Sequence, residues 1–379
     1  VAAAGQSRHF RIDRGQLEVA AAHVETVTRR RYPDLNIPYH SRWRHFEAGS
    51  IDRAAELALA MAGRDNAECA RARIDLTTIS VLLDAGAGVM WSYREATSGE
   101  CFTRSEGLGV ASFRAFMAGA FSAQADDPYR VDAARLAQVN RVELAAIFQA
   151  HDCNPLVGLD GRVALLRRLG SALVAQRSVF GHHARPGGLY DRMRNDDANA
   201  IAAPQLLRAV LDGLGSIWLT GNVLDDIAVG DAWRHPYAGG HGPTSGWVPF
   251  HKLSQWLTYS LFEPFEWAGM TMRERDALTG LPEYRNGGLL LDTGVLTLVD
   301  PAVAATPLEV GSELIVEWRA LTVALLDELA PLVRARLGAP DLPLACILEG
   351  GTWAAGRELA QALRGGQPPL TIRSDGTVF

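Results

Sequence analysis

The sequence predicts a mainly α-helical single domain with a few short strands. The 3.6-residue hydrophobic period recurs in many segments, most clearly over residues 132–150, 161–179, 204–219 and 315–337. Sustained alternation of polar and apolar residues is scarce, and the best strand candidates are residues 288–299 and 370–379. Because no repeat, low-complexity stretch or long linker interrupts the chain, we expect one domain over residues 1–379, with an N-terminal helical part (1–85) and a site-bearing part (86–379).

The N-terminal part is predicted to be helical almost throughout. Residues 1–32 form an alanine-rich segment that ends at the breaker YPDLNIP. Ser50 is predicted to cap a helix over residues 51–62. A further apolar segment covers residues 71–85 and stops before two closely spaced glycines.

A long aromatic helix is predicted after Gly246. Its apolar side chains recur at helical spacing and make one face: Phe250, Leu253, Trp256, Leu257 and Leu261. A polar stripe lies beside this face and consists of His251, Lys252 and Gln255. A polar stripe among buried aromatic residues is typical of a pocket wall.

Lys252 is the single lysine among 37 basic residues. Lysine is a compact ammonium group on a flexible stem, whereas arginine is a wide planar fork. A lysine retained in so arginine-rich a chain indicates a confined pocket, a phosphate partner or a tuned pKa. The alternative is a chance survivor on the surface.

Composition narrows the classes of partner. The chain has 379 residues, is 48% hydrophobic and carries a formal net charge of -6. We therefore expect no nucleic-acid partner, and no membrane partner since no apolar run approaches the length of a bilayer span. Four scattered cysteines and no recognisable leader predict a cytoplasmic protein, while the oligomeric state stays open.

Two polar loops precede the aromatic helix. The first, residues 88–109, contains Trp91 and Tyr93, which could stack on a planar group, and Arg94. The second, residues 219–242, contains three acids, an arginine and a histidine: Asp225, Asp226, Asp231, Arg234 and His235. Such a density of carboxylates can bind a divalent cation or sugar hydroxyls, although helix capping explains any one of them.

Two more loops follow the aromatic helix. Residues 278–295 place Glu283, Tyr284 and Arg285 next to a pair of glycines. Residues 348–364 place Gly351 and Thr352 at a predicted helix start, where free amides attract anions, with Arg357 in the second turn. No GxSxG, Walker or GxGxxG motif occurs, so serine hydrolases, P-loop enzymes and Rossmann enzymes are not supported.

Five long motifs resemble the fungal and bacterial uracil catabolism protein 4 family. They are YHSRWRHFEAG, LTGNVLDDIAVGDAWRHP, WVPFHKLSQWLTYSL, LTGLPEYRNGGLLLDTGVL and GGTWAAGR, and the resemblance covers nearly the whole chain. It implies a place in a route that converts uracil to its ribonucleotide, opens the ring and eventually releases urea.

A weaker resemblance links the chain to the queuosine-salvage nucleotide glycosylases, whose mostly helical fold is related to helical DNA glycosylases. It matches Lys252 and Gln255 to a KRxQ helix. Glu283, Tyr284 and Arg285 match an ADYR segment, with Glu283 in place of its aspartate. Glu317 and Arg319 match an EIR helix. Those enzymes hydrolyse the bond between base and ribose in a 5′-nucleotide.

Together the two resemblances imply hydrolysis of the N-glycosidic bond in a ring-opened uracil ribonucleotide, ribosylurea 5-phosphate. Glu283 is the expected catalytic carboxylate, with Asp231 and Glu317 as reserves. The phosphate is expected at Lys252 and Arg285 and at the predicted helix start, and the sugar and urea against the aromatic residues Trp91, Tyr93 and Trp256. No cofactor is expected.

Two other functions remain open at this point. One is a metal-dependent amidohydrolase or deaminase acting on a ring-opened pyrimidine, with the metal on the acids of residues 225–231 and on His235. The other is a non-catalytic partner of the pathway's enzymes.

Overall fold

The computed structural model describes residues 5–197 and 199–373 and confirms the mainly α fold class, with 54% of the chain helical. Its helices are α1 (Leu17–Arg31), α2 (Trp43–Phe46), α3 (Arg53–Ala60), α4 (Asn66–Leu82), α5 (Arg104–Met117), α6 (Ala133–Leu136), α7 (Arg141–Ile147), α8 (Leu159–Ala175), α9 (Arg177–Phe180), α10 (Gly188–Asp196), α11 (Ala203–Leu214), α12 (Lys252–Trp267), α13 (Tyr284–Asp292), α14 (Glu313–Leu337), α15 (Leu344–Ile347) and α16 (Trp353–Arg364).

The described strands are two or three residues long and pair only two by two. They are β1 (Phe10–Ile12), β2 (Ser92–Arg94), β3 (Cys101–Thr103), β4 (Ala200–Ala202), β5 (Val223–Leu224), β6 (Ile227–Ala228), β7 (Ala232–Arg234), β8 (Trp247–Pro249), β9 (Thr271–Arg273), β10 (Leu296–Leu298), β11 (Leu308–Glu309) and β12 (Ile372–Arg373). The pairs β4–β9 and β11–β12 are parallel, and the pairs β1–β10, β2–β3, β5–β6 and β7–β8 are antiparallel.

Several predicted boundaries are corrected. The predicted strand over residues 288–299 begins in the second half of α13, which ends at Asp292, and only Leu296–Leu298 form a strand. Nine of the described strands lie before Gly288. The sequence does not reveal them, because pairs this short leave no alternating pattern. Asp52, and not Ser50, caps α3 by accepting the amide of Ala55. Of the predicted tail strand over residues 370–379, Ile372–Arg373 are observed as a strand, residues 370 and 371 are not, and residues 374–379 lie outside the described part.

Contacts divide the described chain into two compact units. The first contains residues 5–40, 231–252 and 275–373, and the second contains residues 41–197, 199–230 and 253–274. Each unit is therefore assembled from segments distant in sequence. The single domain predicted from the sequence stays a prediction.

The first unit is built on α14. The long helix α1 packs along it, and α13 lies against both α14 and α16. The contact between α13 and α14 is close, because a side chain at Gly287 would lie 2.7 Å from the indole ring of Trp318. The Trp318 indole N–H donates to the Gly287 carbonyl at 3.2 Å. These contacts fix the beginning of α13, where Glu283 lies.

The second unit has α4 at its centre, with both apolar and polar side chains of this helix fully buried. Buried arginine–carboxylate pairs reinforce its core. Arg53 and Arg114 both donate to the fully buried Glu95, with the Arg53 Nε hydrogen bond at 2.9 Å. Because removing one partner would leave a buried charge uncompensated, such a network makes the local packing specific. Among the helices of the described residues, none has the length and apolar character needed to cross a membrane.

Candidate active site

Asp231 is a buried carboxylate with every oxygen occupied. The guanidinium of Arg319 donates to both of its oxygens, at 2.8 and 2.7 Å. The indole N–H of Trp233 donates at 2.7 Å and the backbone amide of Lys252 at 3.0 Å. Burial alone would raise the pKa of Asp231, but the Arg319 charge and these hydrogen bonds outweigh it and hold the pKa below its usual range. Asp231 is therefore an ionised structural anchor.

This anchor fixes the start of α12. The first amides of a helix have no partner within it, and Asp231 satisfies the one that belongs to Lys252. The backbone carbonyl of Asp231 also accepts the amides of Phe250 and His251, at 2.9 and 3.0 Å. His251 has a φ of 46°, a left-handed conformation that costs free energy in a non-glycine residue. Asp231 thus sets the position from which the Lys252 side chain leaves the backbone.

Arg319 connects this anchor to the loop before α13. Its guanidinium lies 4.1 Å from the ring centroid of Phe250, and its Nε donates to the carbonyl of Pro282 at 3.4 Å. Pro282 precedes Glu283. The Asp231 anchor, defined as Asp231, Arg319 and the Lys252 amide, therefore holds both Lys252 and the approach to Glu283.

Glu283 is a buried carboxyl group oriented by a helix N-terminus. It caps α13, accepting the amide of Arg285 at 2.7 Å on one oxygen and that of Asn286 at 2.5 Å on the other. Burial raises the pKa of Glu283 above its usual range, and the two amides together with the charges of Lys252 and His40 only partly offset this. A carboxyl group with a raised pKa is suited to proton transfer near neutral pH.

The sequence analysis missed His40, whose charge acts on Glu283, and its partner Glu349. The His40 Nδ1 lies 2.8 Å from a Glu349 oxygen, although the two residues are 309 positions apart. Glu349 also accepts from Arg31 at 2.8 Å and from the hydroxyl of Tyr32 at 3.2 Å. Burial opposes ionisation of Glu349, but His40 and Arg31 hold its pKa below the usual range. We call Lys252, Glu283, His40 and Glu349 the Glu283 cluster.

The reserve carboxylate Glu317 lies on α14. Its side chain is buried, and within residues 5–197 and 199–373 neither of its oxygens accepts a hydrogen bond. Within the same residues the Nε of the buried Arg285 donates to no acceptor, although its Nη1 donates to the Gly366 carbonyl at 3.2 Å. Buried polar atoms without a partner are rare in folded proteins, which makes both groups candidates for contact with a ligand.

The predicted helix start at Thr352 is wrong. Helix α15 begins at Leu344 and continues through a π-helical turn, Leu348–Thr352, directly into α16. Thr352 has helical backbone angles and caps nothing. Gly350 and Gly351 let this turn pack on α1, since a side chain at Gly351 would lie 2.5 Å from the Thr28 hydroxyl. The free amides expected at Gly351 and Thr352 are therefore absent from this described segment.

The other predicted site residues of the first unit lie on its surface or in its loops. Arg357 is exposed, with its guanidinium 5.4 Å from the Trp353 ring centroid, and the exposed Tyr284 ring is 4.8 Å from the Arg285 guanidinium. Arg234 lies 4.6 Å from the Trp247 ring centroid. The buried His235 accepts the Tyr237 amide on Nδ1.

Asp225 and Asp226 form the exposed turn between β5 and β6. Their φ values of 48° and 61° are those of a two-residue hairpin turn, in which aspartate is common. Among the described residues, no group of three or more His, Cys, Asp or Glu side chains is arranged to hold a metal ion. The density of acids in this stretch of sequence thus has a local explanation in turn formation and in the Asp231 anchor.

The other predicted site residues belong to the second unit. The buried Trp91 donates its indole N–H to the Phe148 carbonyl at 2.9 Å, and burial raises the pKa of Tyr93. Arg94 is exposed and donates to the Gly99 carbonyl at 2.8 Å. Trp256 is buried on α12 beside Gln255, with its ring centroid 5.8 Å from that of His45. The substrate-binding roles of these residues stay predictions.

Two surface cavities lie away from these residues. One, of about 240 Å³, is lined by residues of α10 and α11, including the ion pairs Arg192–Asp196 and Arg208–Asp212. The other, of about 390 Å³, follows α1 beside Arg336. None of the predicted site residues lines either cavity, so the candidate site rests on the Glu283 cluster and its hydrogen bonds.

The fold and site define a mainly α-helical protein with a buried glutamate oriented by helix amides beside a lysine and a histidine–glutamate pair. The chain belongs to the family described as a protein of unknown function (DUF1688), whose model matches residues 1–379. It is 39% identical to uracil catabolism protein 4 of Lachancea kluyveri over 409 residues, covering 99% of this chain and 93% of that protein.

A second relative is protein urg3 of Schizosaccharomyces pombe, 41% identical over 352 residues, which cover 90% of this chain and 84% of that protein. The resemblance to the uracil catabolism protein 4 family is thereby confirmed. The resemblance to the queuosine-salvage glycosylases stays a prediction.

Proposed function

We propose that this chain acts in uracil catabolism by hydrolysing the N-glycosidic bond of ribosylurea 5-phosphate, releasing urea and ribose 5-phosphate. The pathway comes from the relatives, one of which is named for uracil catabolism. The reaction is supported by one observation above others: Glu283 is a buried carboxyl group whose pKa is raised by burial and which lies near the Lys252 charge.

The proposed chemistry assigns distinct roles to the residues of the first unit. Cleavage of a glycosidic bond passes through an oxocarbenium-like state, which needs a carboxylate to activate water or stabilise positive charge. Glu283 has this role, with Glu317 as the reserve. Each Glu283 oxygen accepts one amide, and a carboxylate has about four acceptor positions, so positions remain for water.

The phosphate would bind to Lys252 and to the Nε of Arg285. Cationic donors make the strongest hydrogen bonds to phosphate oxygens. Asp231 has no oxygen left for a substrate and acts by positioning Lys252. Its role in the proposed reaction is therefore indirect.

An assay of ammonia before and after addition of urease tests this function. The protein is incubated with ribosylurea 5-phosphate, and we expect ammonia only after urease is added, in proportion to the ribose 5-phosphate formed. Ammonia before urease would show that an amide bond is hydrolysed, as by an amidohydrolase. Absence of both products would refute catalysis of this reaction.

The same assay tests whether Glu283 is the catalytic carboxylate. We expect Glu283→Gln to lower the rate of urea release by about 10²–10⁴-fold, the usual contribution of a general acid or base. Glu358→Gln is the matched control, because Glu358 is exposed and forms a surface ion pair with Arg30. Equal rates for wild type and Glu283→Gln would transfer the role to Glu317.

A further inference from the structure

The histidine–glutamate pair of His40 and Glu349 is held by both the side chain and the backbone of His40. Glu349 lies in the π-helical turn Leu348–Thr352, and such turns occur frequently at functional sites because they re-aim side chains. The amide of His40 also donates to the Ala345 carbonyl of α15 at 2.9 Å. Backbone and ring of His40 are therefore both held by the segment that carries Glu349.

Three donors keep the Glu349 carboxylate ionised and in place. Arg31 and Tyr32 both donate to Oε1 of Glu349. The other oxygen, Oε2, is directed at Nδ1 of the His40 imidazole. A carboxylate that lies against Nδ1 orients the imidazole so that Nε2, the ring nitrogen on the far side, faces away from Glu349. The pair thus has the arrangement of a histidine prepared for proton transfer.

His40 also lies where it can act together with Glu283. Its ring centroid is 6.4 Å from that of Trp353, the first residue of α16. Helix α16 packs against α13 so closely that any side chain at Gly356 would overlap the Arg285 carbonyl. Arg285 donates its amide to Glu283. Helix α16 thus connects the two groups, since the imidazole adjoins its first residue and Glu283 caps the helix that packs against it.

We propose that His40 is the general acid of the reaction, donating the Nε2 proton to the nitrogen of the departing urea while Glu283 accepts a proton from the attacking water. This inference rests on the proposed function. The bond between C1 of ribose and nitrogen breaks and its electron pair goes to nitrogen, which takes the His40 proton. The water oxygen bonds to C1, and its proton goes to Glu283. Return of that proton to His40 restores both groups.

The requirement for an acid can be isolated by changing the leaving group. Urea is a poor leaving group and must be protonated, whereas p-nitrophenolate is stable as an anion and departs without a proton. We compare ribosylurea 5-phosphate with p-nitrophenyl ribofuranoside 5-phosphate for wild type and His40→Asn. Asparagine can still donate to Glu349 from the position of Nδ1 but has no atom in place of Nε2.

We expect His40→Asn to lower urea release by about 10²–10⁴-fold and to leave nitrophenolate release nearly unchanged. The matched control, His23→Asn, replaces a histidine on α1 that lies outside the cluster and should leave both rates unchanged. Thermal melting checks the fold, and if His40→Asn fails to fold, His40→Gln is compared in the same way.

Equal losses on both substrates would show that His40 has only a structural role, and an unchanged rate of urea release would show that it donates no proton. Either result overturns the inference while the proposed function stands. Wild-type protein that cleaves neither substrate refutes the proposed function, and the role of His40 with it, so the wild-type rates distinguish the two failures.

Discussion

Glu283 and Glu349 are both buried glutamates of the first unit, but their neighbours shift their pKa values in opposite directions. Burial dominates at Glu283, where two backbone amides and nearby positive charges only partly offset it. At Glu349 the direct hydrogen bonds from His40 and Arg31 overcome burial. The difference lies in direct contact with cationic donors, which Glu349 has and which the backbone amides at Glu283 do not match.

This difference predicts how stability depends on pH. A depressed carboxyl pKa contributes stability above the unfolded value of about 4.3, and this contribution is lost as pH falls through the folded value. We therefore expect the difference in unfolding free energy between wild type and Glu349→Gln to be largest near neutral pH. It should shrink as the pH is lowered below about 4. Urea denaturation at a series of pH values measures it.

Glu283→Gln provides a control for which the stability difference should change with pH in the opposite direction. A raised carboxyl pKa stabilises the fold while the group is protonated, and this stability is lost as pH rises from the unfolded value through the folded one. The stability of wild type relative to Glu283→Gln should therefore decline as pH increases above about 4. If both differences changed in the same direction with pH, the assignment of the two pKa shifts would be incorrect.

At the scale of the elements, the π-helical turn Leu348–Thr352 determines where Glu349 points. It packs on α1 through Gly350 and Gly351, and a side chain at Gly351 would lie 2.5 Å from both the Thr28 hydroxyl and a Val24 methyl group. The carbonyl of Val24, at 2.8 Å, cannot move without disturbing α1. Close helix packing therefore requires glycine at this position.

We expect Gly351→Ala to lower the free energy of unfolding by about 1–3 kcal/mol, the usual cost of overpacking, as measured by urea denaturation. It should also lower the rate of urea release, because Glu349 would shift with the turn. Gly215→Ala is the control, since no atom lies within 4 Å of the added carbon and the backbone is helical. Equal stability of the two variants would contradict a packing role for Gly351.

The sequence predicted elements well where the signal is local. Helix α14 and most of α12 follow from the 3.6-residue period, and Glu283 was recognised from a loop rich in glycine. The π-helical turn was mistaken for a helix start because two glycines before a threonine look the same in both cases. His40 and Glu349 could not be paired in advance, since 309 positions separate them and only the fold brings them together.

Asp231 also shows that contacts between residues far apart in the sequence could not be predicted from it. Its carboxylate was interpreted as a reserve catalytic group or metal ligand, but it anchors Lys252, which is 21 positions later, and Arg319, which is 88 positions later. The sequence revealed that an acid was present in a polar loop. It could not reveal which cationic side chain would pair with that carboxylate, because the pairing depends on how α14 packs.

At the scale of the whole molecule, the most unusual property is that the chain uses arginine in place of lysine almost everywhere. Among 37 basic residues only Lys252 is a lysine, and its amide is fixed by the buried Asp231. Arginine forms the buried ion pairs described for both units, where its planar fork makes paired hydrogen bonds. The proposed function explains the exception, because a compact ammonium group fits a confined phosphate and a wider guanidinium does not.

The proposed role of Lys252 in binding phosphate is tested most directly by the turnover of two substrates that differ only in the phosphate. We compare wild type and Lys252→Arg on ribosylurea 5-phosphate and on unphosphorylated ribosylurea, by urea release. A misplacement of about 1 Å can reduce a rate roughly a hundredfold, so we expect a loss of that order on the phosphorylated substrate and equal rates on the other. Lys252→Met should lose more, because the phosphate would have no counter-charge. Near-normal turnover of the phosphorylated substrate by Lys252→Arg, or equal losses on both substrates, would contradict phosphate binding by Lys252.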